Sequence, residues 1–312
     1  MARPPLEVLR KLDEQIVDCY DPALGLTLPE QIAWAVSVVR RIDDGGGDEE
    51  DAGAIWLRLL TALLRDPAAP RLRTLILADW TEHAYDPWDV AYEEGDPLPL
   101  MKRHAGRLAG LERLHVGAFP GELPPARGVC QGIAAALAKL PALQRLDLHG
   151  AQGWTLVPAA GHPRLRTLVM HVGEADDDPL AALIAAPFPA LERLDLWLGP
   201  GVAEDLDEEE FAAALASERL PGLRDLSLRG FESSTLLDGL VGQAPALTTL
   251  TITHTPELGD EGLARLLEAP WLPRLRRLEL RGTGVSAELV AELAAQGPEI
   301  VGGDGGEAPL TA

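Results

Sequence analysis

The sequence predicts an α/β solenoid, with a curved parallel sheet on its concave side and mostly helical segments on its convex side. A short pattern predicts the sheet: Leu, two variable residues, Leu, one variable residue, then another apolar residue, returning in eight copies between residues 72 and 280. The starts are separated by 39, 32, 22, 26, 32, 24 and 28 residues. Most of these gaps lie in or near the period of about 20 to 29 residues at which strand-and-helix units stack, and the longer ones carry insertions. Alanine- and leucine-rich stretches with helical spacing fill several of the gaps and predict the convex side.

The copies run Leu72–Leu77, Leu111–Val116, Leu143–Leu148, Leu165–Met170, Leu191–Leu196, Leu223–Leu228, Leu247–Ile252 and Leu275–Leu280. In each, the fourth and sixth positions alternate across a short strand and bury the same face, while the first leucine packs at the strand's entrance. No copy can bury that face alone; stacked copies form one continuous apolar core. Pro141, Pro163, Pro189, Pro221, Pro245 and Pro273 each stand just before a copy, where proline ends the preceding segment and presets an extended chain.

Between the strands, helices are expected over Gly132–Leu140, Glu208–Ala216, Asp260–Leu267 and Ser286–Ala295. The acids at the start of Asp260–Leu267 suit the helix dipole, and Ser286 is a good cap residue. Gly150–His162 is short, contains Trp154 and Pro158, and is expected to be irregular. Residues 1–71 read as an N-terminal cap with a degenerate first strand–helix repeat. It comprises a strand over Gln31–Arg40, a helix over Ala54–Leu64, and a helix within the first 20 residues carrying Leu9, Leu12, Ile16 and Val17. The acidic, glycine-rich run Asp43–Asp51 reads as a loop. Residues 72–300 form the solenoid, and 301–312, with the frayed run Gly302–Glu307, a flexible tail.

Composition narrows the function. With 46% hydrophobic residues among 312, the chain can bury a sizeable core, which excludes wholesale disorder. A net charge of -22 argues against binding phosphate backbones. Cys19 and Cys130 make no disulfide framework. The charged start lacks a signal peptide's apolar stretch, and the longest apolar runs fall far short of the roughly 20 residues of a membrane span. A cytoplasmic setting, without nucleic acid or membrane as partner, is expected.

With its eight leucine copies, residues 72–296 resemble bacterial leucine-rich-repeat proteins, closest in style to the ribonuclease-inhibitor-like subclass with a helical convex side. That resemblance implies a horseshoe and macromolecular recognition in general. Ribonuclease binding does not follow, since cysteine is nearly absent and the repeat lengths are irregular. Trp34, the segment near Trp56, and Leu75-Ile76-Leu77-Ala78-Asp79-Trp80 also resemble a bacterial family without an assigned activity. That second resemblance implies a cap architecture and no catalytic residues.

The third, fifth and seventh positions of each copy should line the concave face. The third column is Thr74, Arg113, Arg145, Thr167, Arg193, Asp225, Thr249 and Arg277. The fifth is Ile76, His115, Asp147, Val169, Asp195, Ser227, Thr251 and Glu279, and the seventh Ala78, Gly117, His149, His171, Trp197, Arg229, Thr253 and Arg281. These positions hold six arginines against four acids, so the face is neutral to slightly basic within a strongly acidic chain. The acid runs elsewhere, such as Asp176-Asp177-Asp178 and Asp207-Glu208-Glu209-Glu210, either solvate the protein or steer a basic partner.

The candidate partner-binding residues are Trp197, Arg193, Asp195, Arg229, Arg145, Asp147, His149, His171, Arg113 and His115. Trp197 is the expected anchor, because an indole on a concave strand among charged groups makes a good hot spot; the alternative is packing against its own neighbouring rows. Arg145 and Arg193 are expected to stack in one column and pair with Asp147 and Asp195. His149 and His171, with Asp147 and Asp195, could ligate a metal and support metal-dependent hydrolysis. An open sheet gives such ligands little enclosure, however. No phosphate-binding loop or nucleophile elbow occurs, and His83 and His254 have no evident acid–base partner. The leading expectation is a non-catalytic module, without cofactor or metal, that holds a protein or peptide on its concave face. Hydrolysis at the histidine cluster and a structural, self-assembling subunit joined through Trp34, Trp80, Trp88 or an exposed cap edge are the alternatives.

Overall fold

In the computed structural model, the described residues are 11–12, 15–36, 52–78, 97–117, 137–150, 161–172, 187–198, 215, 220–231, 235–243 and 247–302. Among these residues, the eight leucine copies and four further strands build one twelve-stranded sheet in unbroken chain order. Its strands are β1 (Lys11–Leu12), β2 (Gln15–Cys19), β3 (Ala33–Val36), β4 (Thr74–Leu77), β5 (Arg113–Gly117) and β6 (Arg145–Gly150). These are followed by β7 (Thr167–Val172), β8 (Arg193–Leu198), β9 (Asp225–Arg229), β10 (Thr249–Thr253), β11 (Arg277–Arg281) and β12 (Glu299–Gly302). β1 and β2 pair antiparallel, and every other neighbouring pair is parallel.

The register repeats without a slip. Leu75, Leu114, Leu146, Leu168, Leu194, Leu226, Leu250 and Leu278 pair in one row and are all buried. A one-residue slip would turn every one of them to the opposite face, which is why the leucine spacing holds the register. Two recurring backbone devices reinforce it. The amides of the second and third residues of a copy both donate to the second residue's carbonyl one repeat earlier, as Gln144 and Arg145 do to Glu112, and Glu192 and Arg193 to Arg166. The amide of the first leucine closes a tight turn three residues back, as in Leu143 to Leu140 and Leu275 to Leu272.

The described helices are α1 (Ala52–Arg65), α2 (Pro97–His104), α3 (Thr235–Gln243), α4 (Gly259–Leu263) and α5 (Ala287–Ala295). On α1, Trp56, Leu60, Leu63 and Leu64 are fully buried. The Trp56 indole N–H lies 3.2 Å from the Val36 carbonyl and 2.9 Å from that of Ala78, tying the helix to the ends of β3 and β4. α5 begins at Ser286, whose hydroxyl accepts from the Leu289 amide at 3.3 Å. That cap satisfies one of the donors a helix start leaves open.

Several expectations need correction. Within the helix expected over the first 20 residues, the described residues are strands instead: Lys11–Leu12 and Gln15–Cys19 pair antiparallel, and β2 joins the sheet beside β3, while residues 1–10, Leu9 among them, lie outside the described residues. Alternation wins over helical spacing, since Val17 is buried against Ala33, Ala35 and Ile76 while Ile16 is 44% exposed. Gly302 does not begin a frayed tail but ends β12, which pairs with the edge that β11 would otherwise leave open. The helix expected over Asp260–Leu267 is α4 followed by a 3-10 turn, Ala264–Glu268. Trp34 is buried in the core and edge-on to Tyr20, so it offers no surface for self-assembly. Asp43–Asp51, Trp80, Trp88, Trp154 and residues 303–312 lie outside the described residues, as do 37–40 of the expected strand and 132–136, 208–214 and 216 of two expected helices.

Candidate functional site on the concave face

Since the fourth and sixth positions of each copy form the core, the third, fifth and seventh project from the concave side, and their burial changes along the sheet. In the fifth column, Ile76, His115, Asp147, Val169, Asp195 and Ser227 are buried, whereas Thr251 and Glu279 are only partly so. The floor of the face is therefore closed through β9 and opens at β10 and β11, while along the third column exposure already begins at β8, where the Arg193 side chain is half-exposed. This differs from the uniformly open sheet that the sequence suggests.

Three carboxylates on this face are each held by two arginines. Asp147 receives Arg113 Nε at 3.1 Å and Arg145 Nε at 3.0 Å, with a second Arg145 nitrogen at 2.9 Å. Asp195 has the Arg229 guanidinium at 2.9 Å and that of Arg193 at 3.7 Å. Glu279 lies 2.9 Å from both Arg277 and Arg281. Arg145 and Arg193 do not stack, because Thr167 of β7 stands between them; Arg113 is Arg145's neighbour in that column.

An aromatic row runs beside the acids. His115 and His149 have ring centroids 4.6 Å apart, His149 and His171 4.3 Å, and His171 and Trp197 5.4 Å in an edge-on contact. Gly117 makes room for the row: it pairs with His149, has φ 110°, and a Cβ there would fall 1.6 Å from the His149 carbonyl oxygen. The row ends at His254, which stacks on Trp197 at 5.7 Å with planes 16° apart. His254 falls one residue beyond the seventh column, so the column reading misses it. Its φ of 57° is the clue, because glycines occupy the same place after β9 and β11, Gly230 at φ 71° and Gly282 at φ 60°. Alignment of the eighth positions could have found it.

The electrostatics follow from burial. His149 is pushed well below the ordinary imidazole range, first by burial and then by His115, His171, Arg145 and Arg229 around it. Burial alone would raise the Asp195 carboxyl. Contacts with His171, Arg229 and Arg193 together outweigh it and hold that carboxyl low. His171 Nε2 lies 3.6 Å from Asp195 Oδ1, the distance of an ion pair rather than a hydrogen bond. His149 is thus disposed to remain neutral beside the arginines. Among the described residues, no three His, Cys, Asp or Glu side chains form a group that could hold a metal ion.

All ten residues singled out in the sequence lie on this one face. His115, Asp147 and Asp195 are buried beneath it, while Trp197 is half-buried and Arg193 half-exposed. Arg277, Arg281 and Glu279 extend the site beyond them.

Twelve strands in chain order, stacked leucine rows and flanking helices define a leucine-rich-repeat-type solenoid. The fold matches a solved protein of Bacteroides fragilis with a TM-score of 0.62 and 20% identity, over 80% of this chain and 70% of that one. A yeast complex of Rad7 and Elc1 is matched at a TM-score of 0.45 and 15% identity, over 76% and 64% of the two chains. In sequence, 125 residues, 40% of this chain, are 33% identical to the monocyte differentiation antigen CD14 of Rattus norvegicus, and the match spans 32% of that protein. No family model matches the chain.

Proposed function

We propose that this solenoid is a non-catalytic recognition module that holds a protein or peptide on the open, C-terminal half of its concave face. The carrying observation is Trp197, half-buried at the centre of that face and stacked on an imidazole whose backbone occupies a place that glycine fills in the neighbouring repeats. Strained backbone is kept where the surroundings over-determine it, and such places cluster at functional sites. An indole held by rings on two sides loses little freedom when a partner covers it, which suits a hot spot.

Arg193, Asp195 and Arg229 would frame the contact. Arg113, Arg145, Asp147, His115 and His149 would support it from the closed side, and His171 would link the two. Helical segments α1, α3 and α5 support the finer placement in the subclass with a helical convex side. Metal-dependent hydrolysis is left without a metal-holding group among the described residues. No described helix is long and apolar enough to cross a membrane.

The test is affinity capture from a lysate of the source cells, with the wild-type chain and Trp197→Ala as baits and circular dichroism to establish that both fold. A protein held by the wild type and lost by the variant is the expected result. Identical prey lists would overturn the reading.

A further inference from the structure

On the reading that the open half of the concave face is the recognition surface, we infer that its partner presents an acidic, carboxylate-rich segment, caught by Arg193, Arg277 and Arg281. One guanidinium is enough to neutralise one carboxylate, yet Asp147, Asp195 and Glu279 are each met by two. Even with Asp225, which stands beside Arg193 in the third column, the concave positions hold six arginines against four acids and keep a surplus positive charge, although the whole chain carries a net -22. An acidic protein that gathers arginine on one face works against its own average charge, and structural pairing does not require the second arginine.

Location divides the three clusters. At Asp147, the Arg113 and Arg145 side chains are 12% and 28% exposed, so that surplus is spent under the closed side of the face. On the open side, Arg193, Arg277 and Arg281 are 50%, 45% and 51% exposed. A guanidinium has five N–H donors in a planar fork. At this exposure, each of the three presents donors to solvent beyond those facing its own acid. Arg193 is also the loosest of the set, 3.7 Å from Asp195, whose closer partner is Arg229. Carboxylates are the protein groups that match such forks with two parallel hydrogen bonds.

Asp195 and Glu279 orient the arginines and repel a partner's stray acids from every place but the outward forks. Trp197 lies on the same strand as Arg193 and gives the segment an aromatic surface to pack on.

The experiment measures anisotropy of fluorescein-labelled hexaglutamate, hexalysine and a thymidine hexanucleotide against the full chain at low and near-physiological salt. Arg277→Ser with Arg281→Ser removes two forks. Arg65→Ser with Arg265→Ser removes the same charge from the exposed surface of the helical segments and serves as control. Hexaglutamate is expected to bind at low salt, to weaken as salt rises, and to lose about fivefold or more in the concave double variant against less than about twofold in the control. The inference is overturned if hexaglutamate does not bind, if hexalysine affinity falls with the concave double variant as hexaglutamate's does, if the oligonucleotide binds as well, or if both double variants lose hexaglutamate affinity equally.

These outcomes separate from the capture experiment. A partner lost with Trp197→Ala but held undiminished by the Arg277/Arg281 variant removes the acidic segment and leaves the concave reading standing. Prey indifferent to both sets of changes removes both.

Discussion

The Trp197 indole and the His254 imidazole lie face to face, with centroids 5.7 Å apart, although a whole strand, β9, separates their repeats. His254 reaches this position through a left-handed backbone, with its amide donating to the Arg281 carbonyl at 3.0 Å. Gly230 makes the equivalent bond to Thr253 one repeat earlier. A side chain in that conformation costs about 1–2 kcal/mol, which glycine avoids. The ring contact returns about 0.5–1.5 kcal/mol. His254→Gly should therefore leave stability within about 1 kcal/mol of wild type while removing the support behind Trp197 and weakening partner capture. His254→Val, β-branched in a left-handed turn, should lower the melting temperature clearly. Thermal denaturation of the two variants checks both.

Asp147 and Glu279 share an arrangement but not an environment. The Asp147 side chain is 3% exposed, and its loss would leave two poorly hydrated guanidiniums facing one another. Asp147→Ala should cost about 3–5 kcal/mol, the usual penalty for breaking a buried charge cluster. At Glu279, solvent reaches both arginines, and Glu279→Gln should cost less than about 1 kcal/mol. Urea unfolding of the two variants would expose the contrast.

Acid should destabilise the fold before its carboxylates titrate. The folded-state pKa of His149 lies well below the unfolded value of about 6.5, and that of His162 is also lowered, chiefly by burial and despite the hydrogen bond to Leu140. Below about pH 6.5 the unfolded chain binds protons that the folded chain refuses, so the stability is fully present above that pH and falls as acid is added. Each such histidine contributes a slope of up to about 1.4 kcal/mol per pH unit. Asp195 acts in the same direction in a lower window, beneath about pH 4, because its carboxyl is held low in the fold. Melting temperatures should drop between pH 7 and 5, and less steeply in His149→Gln.

Gly117 is a place where the sheet tolerates no side chain. A Cβ would collide with the His149 backbone, and the φ of 110° is one that L-residues rarely adopt. Gly117→Ala should cost about 2–4 kcal/mol and displace the histidine row. Gly106→Ala, where a Cβ meets nothing within 4 Å, is the matched control.

The central fold was readable because one spacing does two things. Leucines at the fourth and sixth positions set both the core and the register, and so which residues share the concave face. Arg145 with Asp147 followed from a separation of two on one strand face. The second arginine on Asp147 and the closer one on Asp195 come from neighbouring strands, Arg113 from β5 and Arg229 from β9. The columns placed those residues side by side without saying which guanidinium each acid would take. Val17 and Ile16 could be read with a period of two or of 3.6, and only the partner strand β3 decides between them. His254 escaped because it sits in a turn, where leucine periodicity carries no signal.

The most direct test of concave recognition is the indole N–H resonance of Trp197, assigned by its loss in Trp197→Ala and followed while the captured partner is titrated into the 15N-labelled chain. This resonance should shift and saturate with binding, while the core indoles of Trp56 and Trp271, hydrogen-bonded to backbone carbonyls, remain in place. Binding that reaches saturation with the Trp197 resonance unmoved would contradict concave recognition.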